Sequence, residues 1–255
     1  TCSLNRDPSL YFSMGSSRFN RLRMTAGITM LFCIVTLLSG RGWAATNTPR
    51  FLFVGDSHTV GTFGHTLDQD LRDWDDQVQV ATVGVCGSSP LWWLDRHAFR
   101  CGLWAKGADE VTTSLAKGKT PSLSRLLDSA RPTHILVALG SNLFGTEVSH
   151  VTAQVTRFLE VALAPTQEDQ PAPTCFWIGP PNGRNKPEPE LSQLYEAISE
   201  TAHDLGCTLI DSRPLTDYPA VGGDGAHFDS LGAPGREIAR AWAHAVSEEI
   251  KKSSE

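Results

Sequence analysis

The stretch FLFVGDSHTVGTFGHTLDQDLRDW, residues 51–74, decides the fold class because it joins a buried strand to an amphipathic helix through a short polar turn. Residues 51–54 form an uninterrupted apolar run, and Gly55, Asp56 and Ser57 end it. Apolar residues then recur at spacings of three and four, which predicts one apolar helix face over residues 58–74. Ser57 is therefore predicted to lie where a strand ends and a helix begins.

The rest of the chain repeats this alternation. Short apolar runs predict strands at residues 51–54, 78–83, 134–139, 175–178 and 207–210. Helical patterns follow them near residues 58–74, 122–130, 151–164, 190–205 and 232–252. Such alternation predicts a parallel sheet with helices on both faces. The segment 87–121 shows little periodicity and is predicted to be a loop of functional importance, because long loops in compact domains usually serve function.

The first 44 residues have the pattern of an upstream segment followed by a signal peptide. Three arginines precede an apolar run over residues 28–38, and the small residues Gly42 and Ala44 stand at cleavage-like positions. The run is short for a membrane span, and an uncleaved anchor is the alternative interpretation. We therefore predict a catalytic domain over residues 45–255 in a periplasmic or secreted protein, with membrane contact only through an uncleaved leader.

Charge and cysteine usage limit the ligands and covalent links that the chain is expected to have. The chain has 28 acidic against 22 basic residues, and five of the arginines lie in the leader, so the remainder is strongly acidic and is not expected to bind nucleic acid. Four cysteines remain outside the leader, and none forms a C-x-x-C pair, so no metal site is predicted. Export to an oxidising compartment favours two disulfides among them. The four are Cys86, Cys101, Cys175 and Cys207.

Polar side chains follow several of the predicted strands at one edge of the sheet. The second strand leads into TVGVCGSSP, the third into VALGSNLFG, and VGGDGAHFDSLGAPG follows the fifth. A lone serine at a helix start is more often an N-cap, but a cap does not require polar turns on neighbouring strands. Acyl transfer by a serine needs a base, an orienting acid and oxyanion donors. Candidates for these roles are Ser57, His227, Asp224, Gly87 and Asn142.

Together these blocks resemble the SGNH, or GDSL-type, hydrolase superfamily over residues 51 to about 245. The matching motifs are GDSH, the glycine after the second strand, GSN, and D-x-x-H near the C-terminus. The resemblance implies that Ser57 is the nucleophile, His227 the base and Asp224 its orienting acid. It further implies an oxyanion hole formed by the N–H groups of Ser57 and Gly87 and the amide of Asn142, without a cofactor.

With the βα alternation, the resemblance predicts a three-layer α/β/α, flavodoxin-like domain whose five-stranded parallel sheet has the strand order 2-1-3-4-5. In that order the fourth and fifth strands are neighbours, and each begins with a cysteine. We therefore expect Cys175 to pair with Cys207. Cys86 and Cys101 bracket a tryptophan-containing loop and are expected to form the second disulfide.

The GDSH histidine is similar to that of exported enzymes that remove or transfer acetyl groups on bacterial cell-wall and exopolysaccharide sugars. This implies an exported serine esterase that removes short acyl groups, O-acetyl foremost, from a carbohydrate such as peptidoglycan or a polysaccharide. The alternatives are a carbohydrate O-acetyltransferase with the same residues, a lipase-like or thioesterase-like enzyme, and a non-catalytic carbohydrate-binding module. Leu143 departs from the aspartate that often follows the asparagine in this superfamily.

Substrate contacts are predicted from residue type alone. Trp92 and Trp93 could form an aromatic platform for a sugar ring or could pack the long loop. His58 could support the site from behind or touch substrate. Asp229 follows His227 by two residues and fits the role of orienting acid poorly.

Overall fold

The computed structural model describes residues 48–165 and 171–254, so the predicted upstream segment and signal peptide lie outside the described residues. The strands are β1 (Arg50–Gly55), β2 (Gln79–Val85), β3 (Ala98–Phe99), β4 (Leu103–Lys106), β5 (Thr112–Leu115), β6 (Gly118–Lys119), β7 (His134–Ala138), β8 (Thr174–Ile178) and β9 (Cys207–Ile210). The α-helices are α1 (Ser57–Val60), α2 (Thr62–Arg72), α3 (Pro90–Asp95), α4 (Leu123–Ala130), α5 (Val148–Ala162), α6 (Glu190–Asp204) and α7 (Ala233–Lys252).

The parallel part of the central sheet has the predicted strands in the predicted order. β1 lies in the middle, between β2 and β7, and β8 and β9 continue the sheet on the β7 side. Gly55, at the end of β1, pairs with Gly84 of β2 and Ala138 of β7. The carboxyl ends of these three strands are therefore level, and the turns that follow them share one edge.

Two predictions are wrong: that the sheet has five strands, and that residues 87–121 form a loop. β4 and β5 extend the sheet beyond β2 as antiparallel strands, giving seven strands in the order β5-β4-β2-β1-β7-β8-β9. The segment 87–121 also contains α3 and the small β3–β6 pair. Sequence periodicity missed these elements because β4 has only four residues and the edge strand β5 is mostly exposed and polar.

Both faces of the sheet are covered by helices, as expected for three layers. Along β8, Phe176 belongs to the core cluster that includes Phe63 of α2 and Trp242 of α7. The next residue, Trp177, packs edge-on against Phe158 of α5, because successive side chains of a strand point to opposite faces. None of the helices within residues 48–165 and 171–254 is long and apolar enough to cross a membrane.

The helix predicted over residues 58–74 is interrupted at Gly61. This residue has an extended backbone, with φ −94° and ψ −164°, and separates α1 from α2. The carboxylate of Asp229 accepts hydrogen bonds from the backbone N–H and the hydroxyl of Thr62, the first residue of α2. Asp229 therefore satisfies N–H and hydroxyl groups at the start of α2, which is a structural role outside the serine–histidine–aspartate chain.

Both predicted disulfides are confirmed. Cys175 and Cys207 are directly paired across β8 and β9, with Cα atoms 4.6 Å apart. Cys86 and Cys101 are bonded with Cα atoms 5.5 Å apart, just beyond the Val85–Leu103 pair that ends the β2–β4 ladder. The Cys86–Cys101 bond closes a loop that includes Gly87 and α3.

Candidate active site

A continuous hydrogen-bond chain joins the three residues that the sequence motifs singled out as serine, base and acid. Ser57 Oγ lies 2.8 Å from His227 Nε2, and His227 Nδ1 lies 2.7 Å from Asp224 Oδ2. Ser57 is the first residue of α1 and follows β1 by two positions, so the strand and the helix start fix its place. This geometry allows an imidazole to accept the serine proton while a carboxylate holds the opposite ring nitrogen.

The Asp224 carboxylate is held ionised by its own turn. Burial alone would raise the pKa of Asp224, but the backbone N–H groups of His227 and Ala226, at 2.8 and 2.9 Å, outweigh it. The pKa of Asp224 therefore lies well below its ordinary value. The carboxylate can keep the His227 ring oriented and can stabilise a positive charge on it throughout the neutral pH range.

Two hydroxyl groups that the sequence analysis did not identify hold this turn by hydrogen bonds to its backbone. Ser230 Oγ donates to the carbonyl of His227 at 2.6 Å and accepts the Asp224 N–H at 2.9 Å. The Tyr218 hydroxyl accepts the Gly225 N–H at 3.0 Å. Ser230 lies within the conspicuous block DGAHFDS, whereas nothing near Tyr218 in the sequence marks it.

The predicted oxyanion donors lie on the turns after β1, β2 and β7. Within the described residues, the N–H groups of Ser57 and Gly87 make no backbone hydrogen bond. Asn142 Nδ2 donates one hydrogen bond, 3.0 Å long, to the carbonyl of Ser88, the residue after Gly87. A primary amide has a second N–H, so this bond fixes the Asn142 side chain beside the Gly87 turn and leaves a donor for a ligand.

Two glycines of the second block have different roles. Gly87 has φ +80°, a left-handed conformation that an L side chain rarely adopts, so a glycine is needed for this turn. Gly84 lies inside β2, where an added Cβ would come within 2.7 Å of the Val60 backbone nitrogen. Gly84 therefore allows α1 to pack directly on β2, and Gly87 shapes the turn that carries the candidate donor.

His58 is buried behind Ser57. Its ring lies 5.4 Å from the His227 ring and edge-on to Trp242 at 5.6 Å, measured between centroids. Burial lowers the pKa of His58 well below its ordinary value, so the ring is neutral at neutral pH. The His58 side chain is only 7% exposed. This burial favours the role of supporting Ser57 and His227 over contact with substrate.

The two adjacent tryptophans separate into different environments. Trp93 is fully buried, so its predicted contact with substrate is wrong: on the short helix α3 its side chain faces the core. Trp92 is half-buried, stacks on His97 at 5.6 Å between ring centroids, and lies 3.7 Å from the position a Cβ of Gly87 would take. Trp92 alone of this pair stands beside the candidate oxyanion turn.

Two basic side chains from the turn after β8 also reach this edge of the sheet, and no sequence motif marked them. Lys186 Nζ donates to Ser141 Oγ at 3.1 Å, next to Asn142. Arg184 donates to the carbonyls of Gly222 and Gly223, just before Asp224, at 2.8 and 3.3 Å. In the part of the chain that the structure describes, no group of three or more His, Cys, Asp or Glu side chains could hold a metal ion.

Comparison with known proteins places the fold. No family model matches the chain, and no curated protein matches it. Among solved structures, it is similar to TesA, with a TM-score of 0.53 and 14% identity over 76% of this chain and 96% of that chain. An inhibitor-bound aryl esterase of M. Smegmatis gives a TM-score of 0.52 and 14% identity over 80% and 99%. A family two carbohydrate esterase from Cellvibrio japonicus gives 0.50 and 16% over 80% and 61%.

These similarities and the four sequence blocks agree on the fold. The chain has an SGNH/GDSL hydrolase-like fold, as the resemblance of its motifs predicted. Sequence identities of 14–16% to these structures establish the fold alone, so the chemistry has to be argued from the residues of this chain.

Proposed function

We propose that this protein is an exported serine esterase that removes short acyl groups, O-acetyl foremost, from a carbohydrate. The observation that carries this proposal is the hydrogen-bond chain from Ser57 through His227 to Asp224 at the carboxyl edge of the sheet. Two structural neighbours are esterases, one of them a carbohydrate esterase, which supports the same class of reaction. Two disulfides fit an oxidising compartment outside the cytoplasm.

In the proposed mechanism, Ser57 Oγ attacks the ester carbonyl carbon while His227 Nε2 accepts the hydroxyl proton. The carbonyl oxygen becomes an oxyanion, which the N–H groups of Ser57 and Gly87 and the free N–H of Asn142 stabilise. His227 then gives its proton to the departing sugar oxygen, which leaves an acyl-enzyme on Ser57. His227 then takes a proton from water as the water oxygen attacks the acyl carbon, and it returns this proton to Ser57 Oγ as the bond from Oγ to that carbon breaks. The carboxylic acid is released and the free serine is regenerated.

Trp92 supports a carbohydrate as the alcohol part of the substrate. Its half-buried ring adjoins the Gly87 turn, and an indole face can stack on the apolar face of a sugar. Because the polymer would use this ring and a small aryl acetate would not, Trp92→Ala should lower acetate release from an acetylated polysaccharide more than it lowers aryl acetate cleavage.

The decisive experiment measures aryl acetate hydrolysis by folded variants of the triad. Ser57→Ala and His227→Ala should each abolish nearly all activity, and the double variant should lose little more, because the residues act as a unit. His244 offers a matched control, since its Nδ1 lies 2.7 Å from Asp70 Oδ2 and its side chain is exposed on α7. His244→Ala should keep wild-type kcat. Wild-type activity in folded Ser57→Ala would refute the mechanism.

The substrate is tested with acyl chain length and polymers. Aryl acetate should be cleaved well ahead of aryl butyrate, with aryl octanoate hardly cleaved, and acetate should be released from O-acetylated peptidoglycan or an acetylated polysaccharide. An unacetylated sugar acceptor is then added. Unchanged acetate release identifies an esterase, whereas acetyl groups that appear on the acceptor identify a transferase. A preference for octanoate would instead point to a lipid substrate and contradict the carbohydrate assignment.

A further inference from the structure

Beside the Ser141–Leu143 turn lie two buried groups of opposite charge that the proposed mechanism does not use. Asp56 is 2% exposed and Lys186 is 6% exposed. Asp56 precedes the nucleophile on the β1 side, whereas Lys186 comes from the turn after β8. Buried charges are costly unless they are paired and hydrogen-bonded, so their presence here needs a reason.

Both charged groups converge on one residue, Ser141. The Asp56 carboxylate accepts the His58 N–H at 3.0 Å, and the nearby backbone N–H of Ser141 favours its ionised form. Lys186 Nζ donates to Ser141 Oγ at 3.1 Å and to the Pro181 carbonyl at 3.3 Å. Ser141 thus lies between the two charged groups, and its hydroxyl is bonded to Lys186.

Ser141 begins the short 3-10 turn Ser141–Leu143, whose middle residue is Asn142. The turn follows Gly140, and the Leu143 N–H donates back to the Gly140 carbonyl at 2.9 Å. Because the turn is only three residues long, a shift of Ser141 is transmitted to the Asn142 backbone. The two charged groups are therefore placed to hold the backbone that carries the Asn142 amide, while the bond to the Ser88 carbonyl holds the amide itself.

The charges also support each other's ionisation. Burial lowers the pKa of Lys186 to about 8, and the nearby Asp56 charge opposes this change. Burial raises the pKa of Asp56 to about 6, against the backbone hydrogen bond from His58 and the charge of Lys186. At neutral pH both groups are charged, so each keeps the hydrogen-bonding form that Ser141 requires.

We propose that Lys186 is a positioning residue for the proposed acyl transfer, acting through Ser141 to hold the Asn142 amide in the oxyanion hole. The inference rests on the proposed function, since it assigns Lys186 a role in that reaction. Removing Lys186 should impair stabilisation of the oxyanion while leaving ground-state binding of the ester nearly unchanged.

The test compares Lys186→Met and Ser141→Ala in aryl acetate kinetics. Each should lower kcat about 10-fold with KM within about twofold, a smaller loss than the 10²–10³-fold expected when an oxyanion donor is removed. In an Asn142→Ala background both substitutions should have almost no further effect on kcat, because the amide they position is absent. A general loss of folded protein would instead reduce activity by the same factor in both backgrounds.

Lys106 supplies the matched control. Its Nζ lies 3.4 Å from the buried carboxylate of Asp68, and its side chain is 15% exposed. It lies on β4, and its ion pairs, with Asp68 and Glu110, are formed with residues outside the candidate active site. Lys106→Met should leave kcat unchanged, so a drop specific to Lys186→Met does not follow from removing a poorly exposed lysine. If Lys186→Met does not fold, Ser141→Ala decides the question alone, because it removes only one hydroxyl.

The outcomes separate the two proposals. A wild-type protein without Ser57-dependent aryl acetate hydrolysis would defeat the proposed function, and the role of Lys186 with it. Ser57-dependent hydrolysis combined with wild-type kcat in a folded Lys186→Met or Ser141→Ala variant would overturn the role of Lys186 alone. An equal loss with and without the Asn142 amide would also overturn it.

Discussion

The two disulfides should contribute similarly to stability and very differently to catalysis. Cys86–Cys101 closes a separation of 15 residues and Cys175–Cys207 one of 32 residues. In the chain-entropy model, loops of these lengths stabilise the folded protein by about 3 and about 4 kcal/mol, because the crosslink restricts the unfolded chain. Replacing either pair by alanines should lower the free energy of unfolding by roughly these amounts.

Of the two disulfides, Cys86–Cys101 is the one that adjoins the Gly87 turn. Cys86 directly precedes Gly87, and Cys101 Sγ lies 3.8 Å from the position a Cβ of Gly87 would take. The β2–β4 ladder still holds this end of the strand, since the Cys86 N–H donates to the Gly102 carbonyl at 2.9 Å. We therefore expect kcat to fall about 10-fold, which is less than the loss of a whole oxyanion donor.

The assay combines urea denaturation with aryl acetate kinetics on two double variants. Cys86→Ala/Cys101→Ala should lose both stability and kcat. Cys175→Ala/Cys207→Ala should lose stability and keep wild-type kcat under conditions where it is fully folded, because Cys175 and Cys207 lie at the amino ends of β8 and β9, away from the sheet edge that carries Ser57. Equal kcat for the two variants, whether both normal or both reduced, would refute the link between the Cys86–Cys101 disulfide and Gly87.

Two further predictions separate catalytic from structural roles at this edge of the sheet. Asn142→Ala should lower kcat by roughly 10²–10³-fold with little change in KM, because its bond strengthens as the carbonyl becomes an oxyanion; a change in KM alone would assign Asn142 to binding. Asp229→Ala should leave kcat within about twofold and cost about 1–2 kcal/mol in urea denaturation, because Asp229 caps α2 at Thr62. A kcat loss comparable to that of Asp224→Asn would instead make Asp229 part of the acid–base system.

Local patterns in the sequence were sufficient to predict the parallel strands and the polar turns at their carboxyl ends. A buried apolar run followed by a glycine-containing turn and a helix face specifies each βα unit within about 20 residues, so the five parallel strands could be predicted locally. Their order, which the sheet confirms, came from the resemblance to the SGNH superfamily. The antiparallel β4–β5 pair could not. It depends on β4 pairing with β2 and on a polar edge strand, Thr112–Leu115, with no apolar alternation.

Side-chain environments that depend on tertiary packing were also missed. Trp92 and Trp93 are identical neighbours in the sequence, and only the position of α3 decides that one faces the core and the other the Gly87 turn. Lys186 is 45 residues from Ser141, and the segment between them includes α5 and β8. No local pattern can reveal a contact that the sheet order creates.

The cost of burying Asp56 shows where this fold gives up stability for the geometry of its site. Burial raises the pKa of Asp56 from 3.8 to about 6, so at neutral pH the ionised carboxylate costs about 3 kcal/mol relative to the unfolded chain. The sign follows because the folded state holds the proton more tightly than the unfolded state, and stability falls as pH rises between these values. An apolar residue would avoid this cost, but it would leave the His58 N–H without its acceptor and would remove the carboxylate near the Ser141 N–H. His58 directly follows Ser57, and Ser141 directly precedes Asn142, so one carboxylate links the nucleophile side of the site to the oxyanion side.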